Sequence, residues 1–534
     1  MPFAVHLSGW DFIVITAYVI VSIGLGVWLG RHQQTADDYF LAGRNMRWPV
    51  IGTSLFASNI SSTTLVGLAG AAYTTGIAVY NYEWMASVVL VVFAIFFLPA
   101  ILRSRVYTLP EFLERRFSSA SRTYFSLLTL FLNIVVDTAG SLYAGAVIFQ
   151  FVAPDMPFWQ IIALLALAAG IYTIMGGLAA VMITDVIQAI VLVAASIFIT
   201  ISAFDNAGGW ASIASQVSAE QLSLIRPLDD AAVPWLGLVI GIPLLGFYFW
   251  CTNQFMAQRV LSAKNDDEGR WGVLFAGLLK LPVLFIMVLP GTAAIVLYPN
   301  LSNGDLAYPA LMFDLLPAGL LGLGLAGFIA ALMSQIDSTL NSASTLVTMD
   351  FVRRLKPDMS QKALMRAGQT ATFLFMLAAV AWAPQIKNFQ SLFSYLQAVL
   401  AYAIGPVIVL FVFGMFWKRA NATGAHWAIT AGIVFAIILF VFNNGLLGTA
   451  ALMTMDLHFL YIAPLVVVVS SLALIVGSLR GEAPREDEVL AYMWTRASFN
   501  EETQHLKTRP AWTNYRYQSI ALLILTGVIV YLWR

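Results

Sequence analysis

The chain has 534 residues, of which 60% are hydrophobic and only 10% charged. Soluble domains carry about 25% charged residues, so the composition excludes a soluble globular protein and defines a polytopic membrane protein. Lys plus Arg and Asp plus Glu balance at 28 each, so no nucleic acid or other strongly charged partner is implied.

Cys251 is the single cysteine, which excludes an intrachain disulfide and a cysteine-cluster metal site. The start of the chain, MPFAVHLSGWDF, lacks a basic region and a small-residue cleavage site, so no signal peptide is read there.

Apolar runs long enough to span a bilayer predict fourteen helices. In chain order they cover 10–30, 48–72, 76–101, 122–152, 159–177, 180–204, 233–257, 271–297, 309–350, 365–386, 389–416, 423–443, 454–478 and 515–533. With both termini outside, this division puts nearly every Lys and Arg in inward loops or at their edges. Only Arg226, Lys387 and Arg534 fall outside, and Lys280 lies within a span. Dropping or adding one span scrambles that partition downstream. No soluble domain remains: 1–534 reads as one polytopic unit, with 205–232 and 480–514 as its largest extramembrane pieces. The latter mixes both charge signs and reads as a surface connector.

Ionisable residues inside spans are functional candidates, because burying them in hydrocarbon is costly. They are Glu83, Asp137, Asp185, Lys280 and Asp337. Two polar breaks accompany them: SNISSTT from Ser58, in the second span, and GFYFWCTNQ, Gly246 to Gln254, in the seventh. They lie five spans apart, and an odd separation reverses membrane direction, as two inverted five-span repeats require. Transporters of that design place solute and ion sites at broken helices, and exposed carbonyls there suit a small hard cation.

In the ninth span, Ala331, Ser334, Ser338 and Asn341 share one small, polar helical face, with Asp337 beside it. Its hydroxyls can ligate sodium or join helices by hydrogen bonds. Asp185 needs a cation, either Lys280 or a bound metal ion. Glu83 and Lys280 form either a structural ion pair or a pair of polar groups for a solute, with Trp84, Phe249 and Trp250 as flat walls. Asp137 reads as a satisfied buried acid.

Several patterns are set aside. GLGLAG at 322–327 lies in an apolar span with no strand before it, so it is helix packing and not a dinucleotide fingerprint. Asn59-Ile60-Ser61 matches a glycosylation sequon but sits at membrane depth. His6, His32, His426, His458 and His505 are scattered without metal-ligand spacing. No catalytic constellation and no P-loop is present, so neither an enzyme nor an ATP-driven pump is indicated.

The chain resembles the sodium/solute symporter family, in particular its sodium–sugar (sodium/glucose) cotransporter branch. The resemblance rests on DYFLAGRNMRWPVIGTSLFASNISS, YNYEWMA, VYTLPEFLERRF, IYTIMGGLAAVMITDVIQ, NQFMAQRVLSAK, MSQIDSTLNSASTLVTMD and GMFWKRANATGA, in that order between residues 38 and 425. It implies an all-α membrane protein of the amino-acid–polyamine–organocation (LeuT-like) fold. One helix (10–30) precedes inverted repeats at 48–204 and 233–416, and three more helices lie within 423–533.

The resemblance also implies sodium-coupled symport by alternating access. It implies a sodium site built from the carbonyls of Ala57, Ile60 and Ala331 and the hydroxyl of Ser334. Gln335 stands where the family usually has a second hydroxyl. A second sodium in some members implies a further candidate site at Asp185, Asp337 and Ser338, so the coupling ion is one Na+ or two.

The implied sugar-site residues are Asn59, Thr64, Glu83, Phe249, Lys280 and Gln397. Thr64 replaces a longer side chain, and Gly246 stands where some members have Asn. Both departures enlarge the pocket or remove hydrogen bonds. The expected cargo is a small hydrophilic solute, a monosaccharide or related polyol. A sugar acid, other carboxylate, amino acid or nucleoside is the alternative, and a solute sensor without transport the distant one. The expected location is multi-pass in a plasma membrane, a bacterial inner membrane by the lack of a targeting peptide and of large glycosylated loops.

Overall fold

A computed structural model describes residues 7–31, 35–230, 232–388, 392–443 and 457–534. His6, His32 and the first residues of the predicted spans 389–416 and 454–478 lie outside the described residues, as do the first six residues of the chain. Among the described residues the regular elements are all helices, with no named strand and two isolated bridges. By length and composition, ten helices suffice to cross a membrane, or up to thirteen when each bent pair counts as one span. The sequence reading expects fourteen. The difference is the predicted span 159–177, which falls on a shorter apolar helix, Phe158–Gly170.

That helix is continuous with the next one in Phe158–Asn206, except at Gly177, where φ 57° and ψ −172° turn the chain. The positive φ favours glycine, since a Cβ there would clash with the backbone. The long predicted span 309–350 also differs. It is two helices, Ala307–Leu315 and Leu320–Leu346, separated at Pro317 and at Gly319 with φ 85°. Proline cannot continue a helical ladder, and apolar content alone does not register the break.

Three bent pairs interrupt the spans. Trp48–Asn59 meets Ser62–Thr75 at 58°, Asp266–Lys280 meets Leu284–Leu297 at 41°, and Tyr395–Ala403 meets Gly405–Phe416 at 51°. The second polar break, read at 246–254, is a π-turn over Tyr248–Thr252 followed by an extended Asn253 and the helix Gln254–Leu261.

The most extensive helix contact is between Phe158–Asn206 and Leu320–Leu346. Trp48–Asn59 lies along Asp266–Lys280. These two approach so closely that a Cβ on Gly52 would stand 2.6 Å from the Gly272 carbonyl. Small residues permit such contact between membrane helices. Two large apolar cores and two small ones result, and Trp48–Asn59 belongs to both large ones: Ile51 and Leu55 to one, Phe56 and Ala57 to the other.

The 480–514 segment docks on the helix ends. Arg509 donates to Asp267 at 2.6 Å, and Glu502 accepts from Tyr515 Oη and Arg516 Nη2, both at 2.8 Å. Glu502 also pairs with Arg270. Burial alone raises the Glu502 carboxyl, but Arg270, Tyr515 and Arg516 outweigh it and hold the group below its ordinary 4.5. A depressed carboxylate contributes stability that is present above the unfolded-state pKa and lost as pH falls through the folded one. Glu502→Gln is therefore expected to cost about 1 kcal/mol at neutral pH. In thermal unfolding of the detergent-purified protein, its deficit against the parent should shrink below pH 4.5. An equal deficit on both sides of that value would reject this account.

Candidate functional site

The site grows from the first polar break. Trp48–Asn59 stops at Ile60, whose φ −82° and ψ 78° leave the helical range. Ser61 is extended, and its hydroxyl accepts from Thr64 N–H at 3.2 Å, which caps Ser62–Thr75. Serine suits that position because its oxygen satisfies a donor the helix start leaves unpaired. The neighbouring hydroxyls keep the break open. Thr64 Oγ1 donates to Asn59 O at 2.7 Å, Ser62 Oγ to Ser141 O at 3.2 Å, and Ser61 and Thr63 share a 2.5 Å bond. Short polar side chains compete with helical ladders in this way.

One consequence concerns the carbonyls. Ser61 N–H bonds Asn59 O at 3.0 Å and not Ala57 O. Thr64 N–H bonds the Ser61 hydroxyl and not Ile60 O. The break thus withdraws the regular helical donors from the carbonyls of Ala57 and Ile60, two of the three that the family resemblance singles out.

Beside the break is a cavity of about 130 Å³. That is room for on the order of ten water-sized spheres. Asn59, Thr64, Glu83, Phe249 and Gln397 line it, as expected from the sequence. Trp250 stands on the same wall, edge-on to Phe249 with ring centroids 5.3 Å apart. Lys280 does not line the cavity. It stands one layer behind, where its ammonium bonds Glu83 and the Asn59 side-chain oxygen and lies 5.8 Å from the Trp250 ring centre. It therefore orients Glu83 and Asn59.

Two further wall residues differ from the sequence reading. Asp137, read as a satisfied buried acid, faces the cavity, and Gln335, read as a sodium ligand, lines it too. Gln335 Nε2 donates to Asp137 Oδ1 at 3.4 Å. A larger cavity of about 430 Å³ opens between Asp266–Lys280 and Tyr515–Leu532, but Trp48, Trp271, Phe275 and Trp512 wall it, and it offers little to a hydrophilic solute.

The face of Leu320–Leu346 behind the break carries the ion candidates. Ser334 Oγ donates to Asp185 Oδ1 at 2.5 Å, and Ser338 Oγ to Ser334 O at 2.5 Å. Asp185 and Ser338 do come together, but around a guanidinium. Arg259 Nη2 reaches Asp185 Oδ2 at 3.0 Å and also Ser338, while its Nε donates to Ser54 Oγ at 2.7 Å. Arg259 is 1% exposed and Asp185 0%. Asp337 is buried on the same helix and takes no part in the hydrogen bonds of Asp185. The cation paired with Asp185 is not Lys280, which stands on Glu83, but Arg259, an arginine that charge counting assigns to an inward loop. Its NQFMAQRV context carries no apolar run that would mark it as buried. Among the described residues, no group of three or more His, Cys, Asp or Glu could hold a metal ion.

Long apolar helices around a polar cavity at a helix break define a membrane transporter of the broken-helix class. Known proteins agree with that class. The structure aligns with a Na+-coupled sialic acid symporter at TM-score 0.77 and 23% identity, covering 90% of this chain and 99% of that one. It aligns with Mhp1, a nucleobase-cation-symport-1 family transporter, at TM-score 0.58 and 14% identity, covering 86% of this chain and 99% of that one. Both likenesses establish the LeuT-like fold.

The chain belongs to the sodium:solute symporter family, whose profile matches residues 39–432. It is 33% identical to sodium/glucose cotransporter 1 of Oryctolagus cuniculus, over 92% of this chain and 82% of that protein. It is 34% identical to sodium/myo-inositol cotransporter 2 of the same species, over 91% and 79%. With the sodium/mannose cotransporter of Bos taurus it shares 32% identity, over 92% and 89%. The protein is a multi-pass membrane transporter and not an enzyme.

The Arg259 pair gives a direct expectation. Arg259→Ala leaves a buried carboxylate uncompensated, which costs about 3–5 kcal/mol. Adding Asp185→Asn should recover much of that loss, measured by thermal unfolding in detergent. A double variant as unstable as the single one would show that the pair does not carry the effect.

Proposed function

We propose that the protein is a sodium-driven symporter that imports a monosaccharide or a related polyol across a plasma membrane by alternating access. The carrying observation is the cavity at the first helix break. Asn59, Glu83 and Gln397 offer directed polar groups there, and Phe249 and Trp250 offer flat apolar faces. Polar groups set among apolar walls are what hydroxyl-rich solutes require. The relatives named for glucose, myo-inositol and mannose support the same class of cargo. Thr64 and Gly246 on the wall leave space for water or for a substituted sugar.

Sodium is the coupling ion in this reading, held by the carbonyls of Ala57, Ile60 and Ala331 and the hydroxyl of Ser334. Gln335 faces the solute instead. One ion is favoured over two, because Arg259 already supplies the cation that Asp185 and Ser338 would share with a second sodium. The two bent helices, Trp48–Thr75 and the chain around Asn253, head inverted repeats at 48–204 and 233–416 that rock against each other. Both termini lie outside, and a bacterial inner membrane fits. Sodium enters from outside, and the membrane potential adds about 2.3 kcal/mol per charge for each 100 mV.

Uptake of labelled hexose or inositol into proteoliposomes should require an inward sodium gradient. Equal uptake without the gradient would sink sodium coupling. Ser334→Ala should raise the sodium concentration for half-maximal uptake about tenfold, as expected for one lost ligand of about 1.4 kcal/mol. An unchanged sodium dependence would remove Ser334 from the ion site. Charge-to-solute ratios near one in electrophysiological recordings support a single ion, and ratios near two refute it.

A further inference from the structure

We propose that Asp137 is a charge-selectivity residue of the solute cavity: it turns away sugars that bear a carboxylate and admits neutral and amino-bearing ones. The inference rests on the sugar-symport reading and narrows its cargo. Three observations carry it.

The first is position. Asp137 lies on the cavity wall together with Glu83, Asn59 and Gln397. It is aimed there by a π-turn, Asn133–Thr138, which interrupts the Ser119–Val152 span. The wider turn adds a residue to the ring of the helix and rotates the residues after it, a device frequent at functional positions.

The second is anchorage. The turn is fastened to Leu320–Leu346, the helix that carries Ser334. Thr138 Oγ1 and Thr339 Oγ1 are 2.7 Å apart, and Asn133 Nδ2 donates to Ser342 Oγ at 3.1 Å. Asp137 is thereby held against Gln335, whose amide donates to it at 3.4 Å. A fixed side chain discriminates between solutes better than one free to swing away, because it cannot relax from an unfavourable contact.

The third is charge. Among the described residues, the wall carries two carboxylates, Glu83 and Asp137, and no Lys, Arg or His. Lys280 sits behind the wall on Glu83, and Arg259 is taken up by Asp185. Asp137 has a neutral amide as its partner, so the cavity holds one acidic side chain that no cation matches. A solute carboxylate entering this low-dielectric space finds two acidic side chains and no cation on the wall, so its charge is left unpaired at high cost. A hydroxyl donates to Asp137, and an ammonium does so with charge assistance. A sodium ion at Ala57 and Ile60 adds the same charge whatever the cargo, so it does not reverse the order.

The test is competition against sodium-driven hexose uptake in proteoliposomes by a 2-amino-2-deoxyhexose and by a hexuronic acid, for the parent, Asp137→Asn and Asp137→Glu. In the parent, the aminohexose should compete at least as well as unlabelled hexose, and the uronate should not compete. In Asp137→Asn, the uronate should gain and the aminohexose lose about tenfold relative to hexose. Asp137→Glu, which keeps the charge, should retain the parental order. Unchanged ratios in Asp137→Asn, or a uronate that competes as well as hexose in the parent, overturn the proposal. Ligand-induced thermal shifts of the purified protein with the same three solutes rank them without transport. Absence of sodium-driven uptake therefore refutes the symport reading, while the shifts still decide on Asp137; the same shift for all three, or none, overturns it.

Discussion

Inside a bilayer a backbone carbonyl that loses its helical donor has no water to turn to. The interruption at Ile60 creates that situation. A run of short polar residues supplies substitutes for some of the lost bonds: Ser61 caps the second half-helix, and Thr64 covers Asn59 O. The carbonyls of Ala57 and Ile60 are left outside this repair, with a requirement that a small cation can meet. The bend of 58° at the break sends the two half-helices apart and opens room beside them. The freed carbonyls and the solute space therefore share one cause.

Buried charge imposes the second constraint. A guanidinium and a carboxylate at membrane depth persist only when every donor and lone pair is met. Arg259 comes close to this, with four of its five N–H groups bonded across four elements: Ser54 on the first half-helix, Asp185 on Phe158–Asn206, Ser338 on Leu320–Leu346, and Phe255 O on its own turn at 2.6 Å. Its planar fork suits that role better than a lysine would. Arg259 comes after the second helix break and Ser54 before the first, so one residue joins both broken elements. Any rocking of one against the other has to preserve these bonds or exchange them for equivalent ones. The Arg122–Asp350 contact at 2.6 Å, supported by Thr108 and Ser126, fastens a second pair of helices in the same manner.

Much of this is legible in the sequence, for a physical reason. Hydrocarbon thickness dictates apolar runs of about 20 residues, so the spans stand out, and polar residues inside them are expensive enough to mark the site. Glu83, Asn59, Phe249 and Gln397 emerge on that basis together with the family resemblance. What stays hidden depends on rotation and depth, which composition does not encode. Asp137 reaches the cavity through a π-turn that alters the helical phase by one residue, and a 3.6-residue period misses it. Arg259 lies just beyond an apolar run, where the positive-inside rule counts a loop; only packing shows it to be interior. The sequence couples Lys280 to Glu83 correctly, yet the depth of its layer separates orienting a wall from forming it. The split of 309–350 at Pro317 and Gly319 escapes because both halves are equally apolar.

The arrangement also bears on how ion and solute communicate. On the first broken helix, Asn59 faces the cavity and its neighbour Ile60 offers the freed carbonyl. On Leu320–Leu346, Gln335 faces the cavity and its neighbour Ser334 faces the ion candidates. In both places the two functions occupy adjacent residues of one backbone. A cation that fixed Ile60 and Ser334 would also fix where Asn59 and Gln335 present their amides, so the ordering entropy of the solute site would already be met when the solute arrives. Coupling free energies of about 1–3 kcal/mol are typical between linked sites, and fixing two rotamer-rich side chains at about 0.5–1.5 kcal/mol each is of that size. Linkage of this kind is reciprocal: a solute that settled Asn59 and Gln335 would hold the Ala57 and Ile60 carbonyls in place for the ion. No long-range pathway is needed, because one peptide bond separates the two readouts.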